Sequence, residues 1–227
     1  MTGQRTVLIT GASRGLGREL ARQYAAAGWP VIACARAATA PDGEGIEHRQ
    51  LDVADMGSIA ALAAGLGGRP IDLLINNAGI RGDTGGLATI DPDDFLEIMR
   101  INALAPLLIV QALLPNLLAG ERPIVANISS RAGSLAEGTL DDDDGDYAYR
   151  CSKAALNMAT VKLAQDLRKH GIAVLSLHPG WVKTDMGGEG ARIRVAESAT
   201  GLKAIIDGVG LADSGSFRAF DGKQVSW

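Results

Sequence analysis

A chain of 227 residues, 47% of them hydrophobic, can bury one sizeable core, which suits a single compact domain of α/β or barrel type over 1–227. The formal net charge of −4 argues against a nucleic-acid-binding protein, because a phosphate backbone requires a basic surface. The two cysteines, Cys34 and Cys151, are too few for a disulfide framework, so we expect reduced thiols and a cytoplasmic protein. Met1–Thr10 lacks the long apolar stretch of a signal peptide.

Strand-like and helix-like segments alternate along the chain. In chain order the sequence predicts a strand at Thr6–Thr10, a helix to about Ala27, strands at Val31–Ala35 and Glu47–Val53, a helix near Met56–Leu66, a strand at Ile71–Asn76, a helix over about Asp94–Leu118, a strand at Pro123–Ile128, a helix over about Tyr149–His170, a strand at Ile172–His178, a helix near Val195–Asp207 and a last strand at Phe217–Phe220. This alternation predicts an α/β fold, a doubly wound parallel sheet of about seven strands with helices on both faces.

Two of the predicted helices are apolar around much of their circumference. Ile101–Ala119 is almost long enough to span a membrane, but Asn102 and Asn116 lie inside it, and lipid would penalise their amides. We therefore expect a helix packed on the sheet and no membrane partner. The apolar surface left over on Asp94–Leu118 and Tyr149–His170 predicts a homo-oligomer.

The run Asp141–Asp146 is the one low-complexity segment. We interpret it as a solvated acidic loop. A calcium loop with Gly145 at its sixth position would place Leu140 at the first, where a carboxylate is needed, so no metal site is predicted.

A glycine-rich turn joins the first strand to the first helix. Its glycines let the backbone turn tightly and approach a ligand, and the helix start offers free N–H groups to a pyrophosphate. The candidate cofactor-binding residues of this turn are Gly11, Ser13, Arg14, Gly15, Leu16 and Gly17.

The end of the second strand favours a phosphorylated cofactor. A site for NAD usually has an acidic residue there, which binds the ribose 2′-hydroxyl. In this chain the strand ends in Ala35, followed by Arg36. Arg36 and Arg14 together suit a 2′-phosphate. The predicted cofactor is therefore NADP(H).

A phenol and an ammonium lie four residues apart on one predicted helix. Tyr149 and Lys153 would share a face of that helix, where a cation lowers the pKa of a phenol and makes it a general acid or base for a carbonyl or alcohol. Tyr147 has Cys151 at the same spacing and lacks the cation.

These segments jointly resemble the short-chain dehydrogenase/reductase family in its compact single-domain form. The turn TGASRGLG resembles TGxxxGxG, Asn76–Gly79 matches NNAG, and Tyr149 with Lys153 matches YxxxK. Ile128–Ser130 resembles the catalytic-serine segment and Pro179–Thr184 the PG segment, so the motifs span about residues 6 to 186. Within the family, YAYRCSKAALN, HPGWVKTDMGG and FRAFDGKQVSW resemble the C-factor/sniffer-like carbonyl reductase subgroup.

The resemblance implies a role for each matching residue. Tyr149 exchanges the substrate proton, Lys153 lowers the pKa of Tyr149 and holds the nicotinamide ribose, and Ser130 hydrogen-bonds the substrate oxygen. Asn102 anchors a water on a proton path from Lys153. The other implied cofactor contacts are Asp52 and Val53 at the adenine, Asn77, Ala78 and Gly79 at the adenosine ribose, Pro179 and Gly180 near the nicotinamide, and Val182 and Thr184 at its carboxamide. The resemblance also implies dimers or tetramers built from the two apolar helices.

Two features depart from the family pattern. The acidic run lengthens the interval before Tyr149, so Ser129 and Ser134 remain alternatives to Ser130 as the catalytic serine. The segment after Thr184 is short, which predicts an open substrate pocket.

Two other functions deserve comparison with a hydride-transfer enzyme. Gly11–Gly15 fits the G-x-S-x-G pattern of a hydrolase, with Ser13 as nucleophile and His178 as a possible base, but only ten residues precede this turn. A dinucleotide-binding regulator without activity would be expected to have lost the Tyr, Lys and Ser set, which this chain retains. The sequence therefore favours an oxidoreductase that transfers a hydride between NADP(H) and a small carbonyl or alcohol.

Overall fold

The computed structural model describes residues 4–37, 43–138 and 145–227, and they build a seven-stranded sheet with helices on both faces. The strands are β1 Val7–Thr10, β2 Val31–Ala35, β3 Ile46–Gln50, β4 Leu73–Asn76, β5 Ile124–Ile128, β6 Ala173–His178 and β7 Phe217–Ala219. Their order is β3-β2-β1-β4-β5-β6-β7, and every neighbouring pair is parallel. The predicted doubly wound, Rossmann-like fold is confirmed.

The helices are α1 Gly15–Ala26, α2 Met56–Leu66, α3 Pro92–Met99, α4 Ala105–Ala112, α5 Leu114–Leu118, α6 Tyr147–Leu167 and α7 Val195–Gly208. One face of the sheet packs against α1 and α7 through side chains such as Leu20 and Leu202. The other face packs against α2, α4 and α6 through Ile59, Ile109 and Leu167. The central strands β1, β2 and β5 are buried along their whole length, and ligands of such folds bind at the carboxyl edge of the sheet.

Some predicted boundaries differ from the structure. The strand predicted over Glu47–Val53 ends at Gln50, so Asp52 and Val53 lie in the following loop. Helix α6 begins at Tyr147, two residues earlier than predicted, and its regular part ends at Leu167, followed by a 3₁₀ turn to His170.

The helix predicted over Asp94–Leu118 is divided. It begins at Pro92, because the Asp91 carboxylate accepts hydrogen bonds from the first-turn N–H groups and proline suits a first helical position. A π-helical segment, Arg100–Leu104, separates α3 from α4, directly before Pro106, which has no N–H for the regular ladder. A further break at Leu113 separates α4 from α5.

Pro92–Ala112 is long and apolar enough to cross a bilayer by length and composition alone. Its Asn102 is nevertheless 1% exposed and hydrogen-bonded within the protein, to Ile80 and Ser152. Of the acidic run, Asp141–Asp144 lies outside the described residues. The expectation of a solvated loop is wrong for Asp146, which is buried in an ion pair with Arg81.

Candidate active site

The glycine turn after β1 packs against the loop after β4 more closely than a side chain would allow. A Cβ at Gly11 would lie 2.9 Å from the Ala78 Cα, and one at Gly17 would lie 2.4 Å from the Asn77 Nδ2. Gly11 also has a φ of +66°, which favours glycine. The Asn77 amide occupies this space and donates to the carbonyls of Thr10 and Gly11, at 3.0 and 3.1 Å.

The N-terminus of α1 points its free N–H groups toward this turn. Arg14 is the N-cap residue in an extended conformation, and within the described part of the chain no side chain caps the helix and no acid occupies its first turn. Such a helix start binds an anion favourably. Ser13 is partly exposed beside it, whereas the Leu16 side chain is buried in the core and can offer only its backbone to a ligand.

The two arginines predicted to bind a 2′-phosphate lie at the same edge of the sheet, since β1 and β2 are neighbours. Arg36 is exposed directly after β2. Arg14 is engaged elsewhere, because its Nη1 lies 2.9 Å from the Asp185 Oδ2 in an exposed ion pair. The structure thus brings both cations to the expected region without placing them together.

The residues expected around the adenosine lie in the loops that follow β3 and β4. Asp52 accepts a hydrogen bond from the Ala54 N–H and donates its own N–H to Ser58, which fixes the loop beside Val53. Asn77 and Ala78 both donate their backbone N–H groups to the Thr10 hydroxyl at 3.0 Å.

Asn102 holds the loop after β4 through its side-chain amide. Its Nδ2 donates to the Ile80 carbonyl at 2.8 Å and its Oδ1 accepts from the Ile80 N–H at 2.9 Å. The same Nδ2 lies 3.0 Å from the Ser152 hydroxyl, which in turn donates to the Tyr149 carbonyl. Asn102 therefore links the π-helical segment, the loop after β4 and helix α6. The contribution of Ser152 could not be read from the motifs.

Lys153 is buried on the inner face of α6. Its Nζ donates to the Ile128 carbonyl at the end of β5, at 2.9 Å, and burial lowers the pKa of Lys153 to about 8. Gly133 lies directly against the backbone of α6, because a Cβ there would lie 2.4 Å from the Lys153 carbonyl carbon. The segment after β5 can therefore rest directly on the backbone of α6.

Tyr149 lies beside Ser130, and its ring centre is 5.7 Å from the Lys153 Nζ. Burial raises the pKa of the Tyr149 phenol, and this outweighs the opposing effects of the Ser130 hydrogen bond and the Arg81 charge. The pKa of Tyr149 is therefore raised, contrary to the expectation that Lys153 lowers it, and the Lys153 ammonium is bonded to the Ile128 carbonyl.

The geometry distinguishes the three candidate serines. Ser130 lies two residues after β5 and beside Tyr149, and its hydroxyl accepts from the Ala132 N–H. Ser129 is 2% exposed and donates into the interior, to the Asn157 Oδ1 at 2.6 Å. Ser134 is 3% exposed and accepts from the Glu137 N–H. Ser130 is therefore the serine that the structure brings to the phenol.

His178 supports the serine segment from the neighbouring strand. At the end of β6, its Nδ1 accepts the backbone N–H of Arg131 at 3.2 Å, and burial with the Arg131 charge lowers the pKa of His178 to about 4. It cannot serve Ser13 as a base, because β4 and β5 separate β6 from β1. The sequence pattern offered His178 only as a hydrolase base, so this supporting contact was missed.

The segment after β6 closes the site near the glycine turn. The Pro179 carbonyl accepts from the Ser198 hydroxyl of α7 at 2.7 Å, and Gly180 has a φ of +79°. Val182 is bridged to Ile193. A Cβ at Gly15 would lie 3.3 Å from the Thr184 methyl group, so the two loops touch across the site.

The following residues fold back instead of extending over the site. The Trp181 indole donates to the Gly187 carbonyl at 2.7 Å, and the N–H groups of Arg192 and Ile193 return to the Trp181 carbonyl. The open substrate pocket remains a prediction.

An ion pair directly before the helix of Tyr149 was not predicted. The Arg81 guanidinium makes a bidentate contact with the Asp146 carboxylate, directly before α6. Sequence analysis could not find it, because the partners are 65 residues apart and Asp146 appeared to be part of the acidic run.

Comparison with known proteins places the chain among close relatives. The family model described as short chain dehydrogenase matches residues 5–193. C-signal of Myxococcus xanthus is 46% identical over 158 residues, which are 70% of this chain and 93% of that protein. The crystal structure of NADPH-bound carbonyl reductase from chicken fatty liver is 37% identical, covers 99% of both chains and gives a TM-score of 0.90. Carbonyl reductase Sniffer of D. melanogaster is 30% identical, covers 99% of this chain and 100% of that chain, and gives a TM-score of 0.91. The predicted resemblance is confirmed.

Proposed function

The chain belongs to the short chain dehydrogenase family of oxidoreductases, and we propose that it transfers a hydride between NADP(H) and a small carbonyl or alcohol, with Asn102, Ser130, Tyr149 and Lys153 as its catalytic set. The observation that carries the proposal is the position of Tyr149 one helical turn before the buried ammonium of Lys153, with Ser130 beside the phenol. The Tyr149 phenol can then act as the proton donor, and the Ser130 hydroxyl lies next to it at the carboxyl edge of the sheet.

The residues of the site fit NADP(H). The start of α1 offers N–H groups to a pyrophosphate, with no side chain capping them among the described residues, and Arg36 is exposed directly after β2. The bound cofactor would supply or accept the hydride. The NADPH-bound state of the chicken carbonyl reductase supports this choice. The residues that would hold the cofactor are Gly11, Ser13, Arg14, Gly15, Leu16, Gly17, Arg36, Asp52, Val53, Asn77, Ala78, Gly79, Tyr149, Lys153, Pro179, Gly180, Val182 and Thr184.

Tyr149 would move the substrate proton. In reduction its O–H donates to the substrate oxygen, while the Ser130 hydroxyl donates a hydrogen bond to the same oxygen and stabilises the charge that develops there. A pKa raised by burial keeps Tyr149 protonated at neutral pH, which suits reduction. In alcohol oxidation the same group must first lose its proton.

Lys153 and Asn102 would serve the cofactor and the proton supply. The Lys153 ammonium has three N–H bonds, and the one directed to the Ile128 carbonyl leaves others for the hydroxyl groups of a ribose. Asn102 would anchor a water that returns a proton from solvent to Lys153. We also propose that the protein works in the cytoplasm as a homodimer or homotetramer, without nucleic-acid or membrane partners.

The decisive experiment measures NADPH consumption with a panel of aldehydes and ketones. Tyr149→Phe should lower kcat by about 10²–10⁴-fold, the usual contribution of general acid catalysis, while NADPH binding changes little. Tyr147→Phe is the matched control, because it removes an exposed phenol from the same helix turn and should have a mild effect. Near-normal turnover by Tyr149→Phe would refute the mechanism.

The same measurements separate the alternatives. A protein that binds NADPH and turns over no carbonyl would be the catalytically weak regulator. Ester hydrolysis without any nicotinamide would indicate the hydrolase that the G-x-S-x-G pattern suggested.

A further inference from the structure

An ion pair joins the loop after β4 to the start of α6, and the proposed chemistry gives it no role. The Arg81 Nε lies 3.0 Å from the Asp146 Oδ1, and its Nη2 bonds Oδ2, so both carboxylate oxygens are held. Asp146 is 5% exposed, so its carboxylate has lost most of its contact with water. Bidentate pairing by the guanidinium makes such burial tolerable.

The backbone next to Arg81 is held by Asn102, a residue of the proposed catalytic set. The residue before it, Ile80, has both its N–H and its carbonyl bonded to the Asn102 amide, at 2.9 and 2.8 Å. The contacts of Asn102, which belongs to the π-helical segment, therefore fix the backbone position from which the Arg81 side chain extends.

The backbone that carries Asp146 is fixed at the helix start. Asp146 has φ 59° and ψ 30°, a conformation uncommon for a residue with a side chain, and its carbonyl accepts the Arg150 N–H at 2.9 Å. A Cβ at Gly145 would lie 2.1 Å from the Thr84 carbonyl oxygen, so the two segments are in direct contact. Tyr149 follows Asp146 by three residues, about one turn of α6.

Building on the proposed function, we propose that Arg81 and Asp146 are positioning residues for proton transfer. Their ion pair fixes the first turn of α6 and thereby sets the position of the Tyr149 phenol and the charges close to it.

The charges around the phenol come from three sides. Arg81 lies in the loop after β4, Asp146 directly precedes the helix that carries Tyr149 and Lys153, and Ser130 lies in the segment after β5. Burial is the largest influence on the pKa of Tyr149 and raises it, the Arg81 charge lowers it, and the Asp146 charge raises it. On the side of β6, His178 is neutral near neutral pH, because its pKa is lowered to about 4.

The two charges predict opposite effects of the two single variants. Arg81→Met leaves the anion alone and should move the acid limb of the kcat/KM profile for alcohol oxidation to higher pH. Asp146→Asn keeps a residue that tolerates the left-handed conformation but removes the negative charge that raises the pKa of Tyr149, so the limb should move to lower pH. Each shift should be roughly half a pH unit or more. In the double variant, Arg81→Met with Asp146→Asn, the acid limb should return most of the way to its wild-type position.

Two further variants separate charge from shape. Arg81→Lys keeps the cation without the bidentate fork, so its acid limb should stay near that of the wild type while kcat falls. Arg69→Met is the matched control, because Arg69 has a similarly exposed side chain and is paired with Glu47, away from the site. Its profile should not move.

A second readout does not require turnover. The readout is the tyrosinate absorbance of each protein at one alkaline pH, from which the absorbance of the same protein with Tyr149→Phe is subtracted. This difference reports how much of Tyr149 is ionised. It should be largest in Asp146→Asn, intermediate in the wild type and smallest in Arg81→Met. If the wild type reduces no carbonyl, the proposed function fails and this order still decides the role of the pair. Equal absorbances, or acid limbs that stay fixed or move in the same direction in both single variants, would overturn the inference.

Discussion

The Lys153 ammonium lies 2.9 Å from the Ile128 carbonyl, while the centre of the Tyr149 ring is 5.7 Å away. Lys153 thus ties α6 to the end of β5 and keeps its charge inside the protein. Because burial lowers the pKa of Lys153 to about 8, the folded protein holds this charge at a cost that the unfolded chain does not have.

Lys153→Met should therefore stabilise the protein without cofactor while it removes activity. A pKa lowered from 10.5 to about 8 penalises folding at neutral pH, where the lysine is charged in both states, and the penalty is relieved as pH rises from about 8 to about 10.5. Allowing for the lost hydrogen bond, we expect a gain of about 1–3 kcal/mol at pH 7, or several degrees in Tm. Thermal unfolding of both proteins between about pH 7 and pH 10 measures it. A less stable variant at pH 7 would contradict the argument.

The neighbouring serines should differ in what they contribute. Ser130→Ala removes the hydroxyl at Tyr149 and should lower kcat by about 10²-fold or more with little change in stability. Ser129→Ala instead leaves the buried Asn157 without one of its hydrogen bonds and should cost about 1–3 kcal/mol of stability while the remaining folded enzyme keeps its activity. Kinetics at a temperature where both variants are folded, together with denaturant unfolding, separates the two roles.

Patterns local in the sequence predicted the fold well, because apolar strands and helices of regular period need little information from distant residues. The predictions for Tyr149 and Lys153 as neighbours on one helix face followed from their spacing alone. The direction in which Lys153 points did not, since it depends on the carbonyl of Ile128 at the end of another strand. The pKa of Tyr149 was likewise mispredicted because burial is a property of the packed protein.

Contacts between segments far apart in the chain were missed altogether. Asp146 is one of several aspartates in a polar run, and only its approach to Arg81 distinguishes it from the others. His178 bonded to the Arg131 backbone is another such case. The predicted continuous helix from Asp94 fails for a local reason, the π-helical segment ahead of Pro106, which apolar periodicity does not reveal.

Cofactor preference should depend on the exposed arginine after β2. A charge-assisted contact to phosphate contributes about 1.5–3 kcal/mol, so Arg36→Asp should weaken NADPH binding by roughly 10-fold to 150-fold and reduce or reverse the preference over NADH. Arg22→Asp makes the same charge change on an exposed part of α1 and serves as the control. Equal binding of NADH and NADPH by the wild type would contradict the prediction.

Asp185 should compete with the cofactor phosphate for Arg14. Their ion pair is largely exposed, at 75% and 77%, so its own strength is small, roughly 0–1 kcal/mol. Asp185→Asn should tighten NADPH binding by up to about fivefold and leave NADH binding unchanged. Fluorescence titration of both cofactors measures the difference, and a parallel gain for NADH would show that Arg14 does not recognise the phosphate.

Self-association should depend on the apolar residues exposed on α3 and α6. Leu96 and Met158 are 66% and 62% exposed there, on the two helical segments that the family resemblance implies form the interface. Leu96→Glu and Met158→Glu should lower the mass in solution to that of a monomer. Met56→Glu is the matched control, because Met56 is 66% exposed on α2. A wild-type monomer at micromolar concentration would refute the predicted oligomer.

His178 should make the serine segment sensitive to acid. Burial and the Arg131 charge lower the pKa of His178 from 6.5 to about 4, so at intermediate pH the unfolded chain binds a proton that the folded protein does not. Stability from this residue is therefore complete above about pH 6.5 and is lost as pH falls through 4, by up to roughly 3 kcal/mol. His178→Asn keeps an acceptor for the Arg131 N–H and does not titrate, so the variant should be similarly active at neutral pH and unfold less readily in acid. His178→Phe removes the acceptor and should lower kcat through the displaced Ser130 segment. Urea unfolding between about pH 4 and pH 7 tests the argument, and an equal loss of stability in His178→Asn and the wild type would refute it.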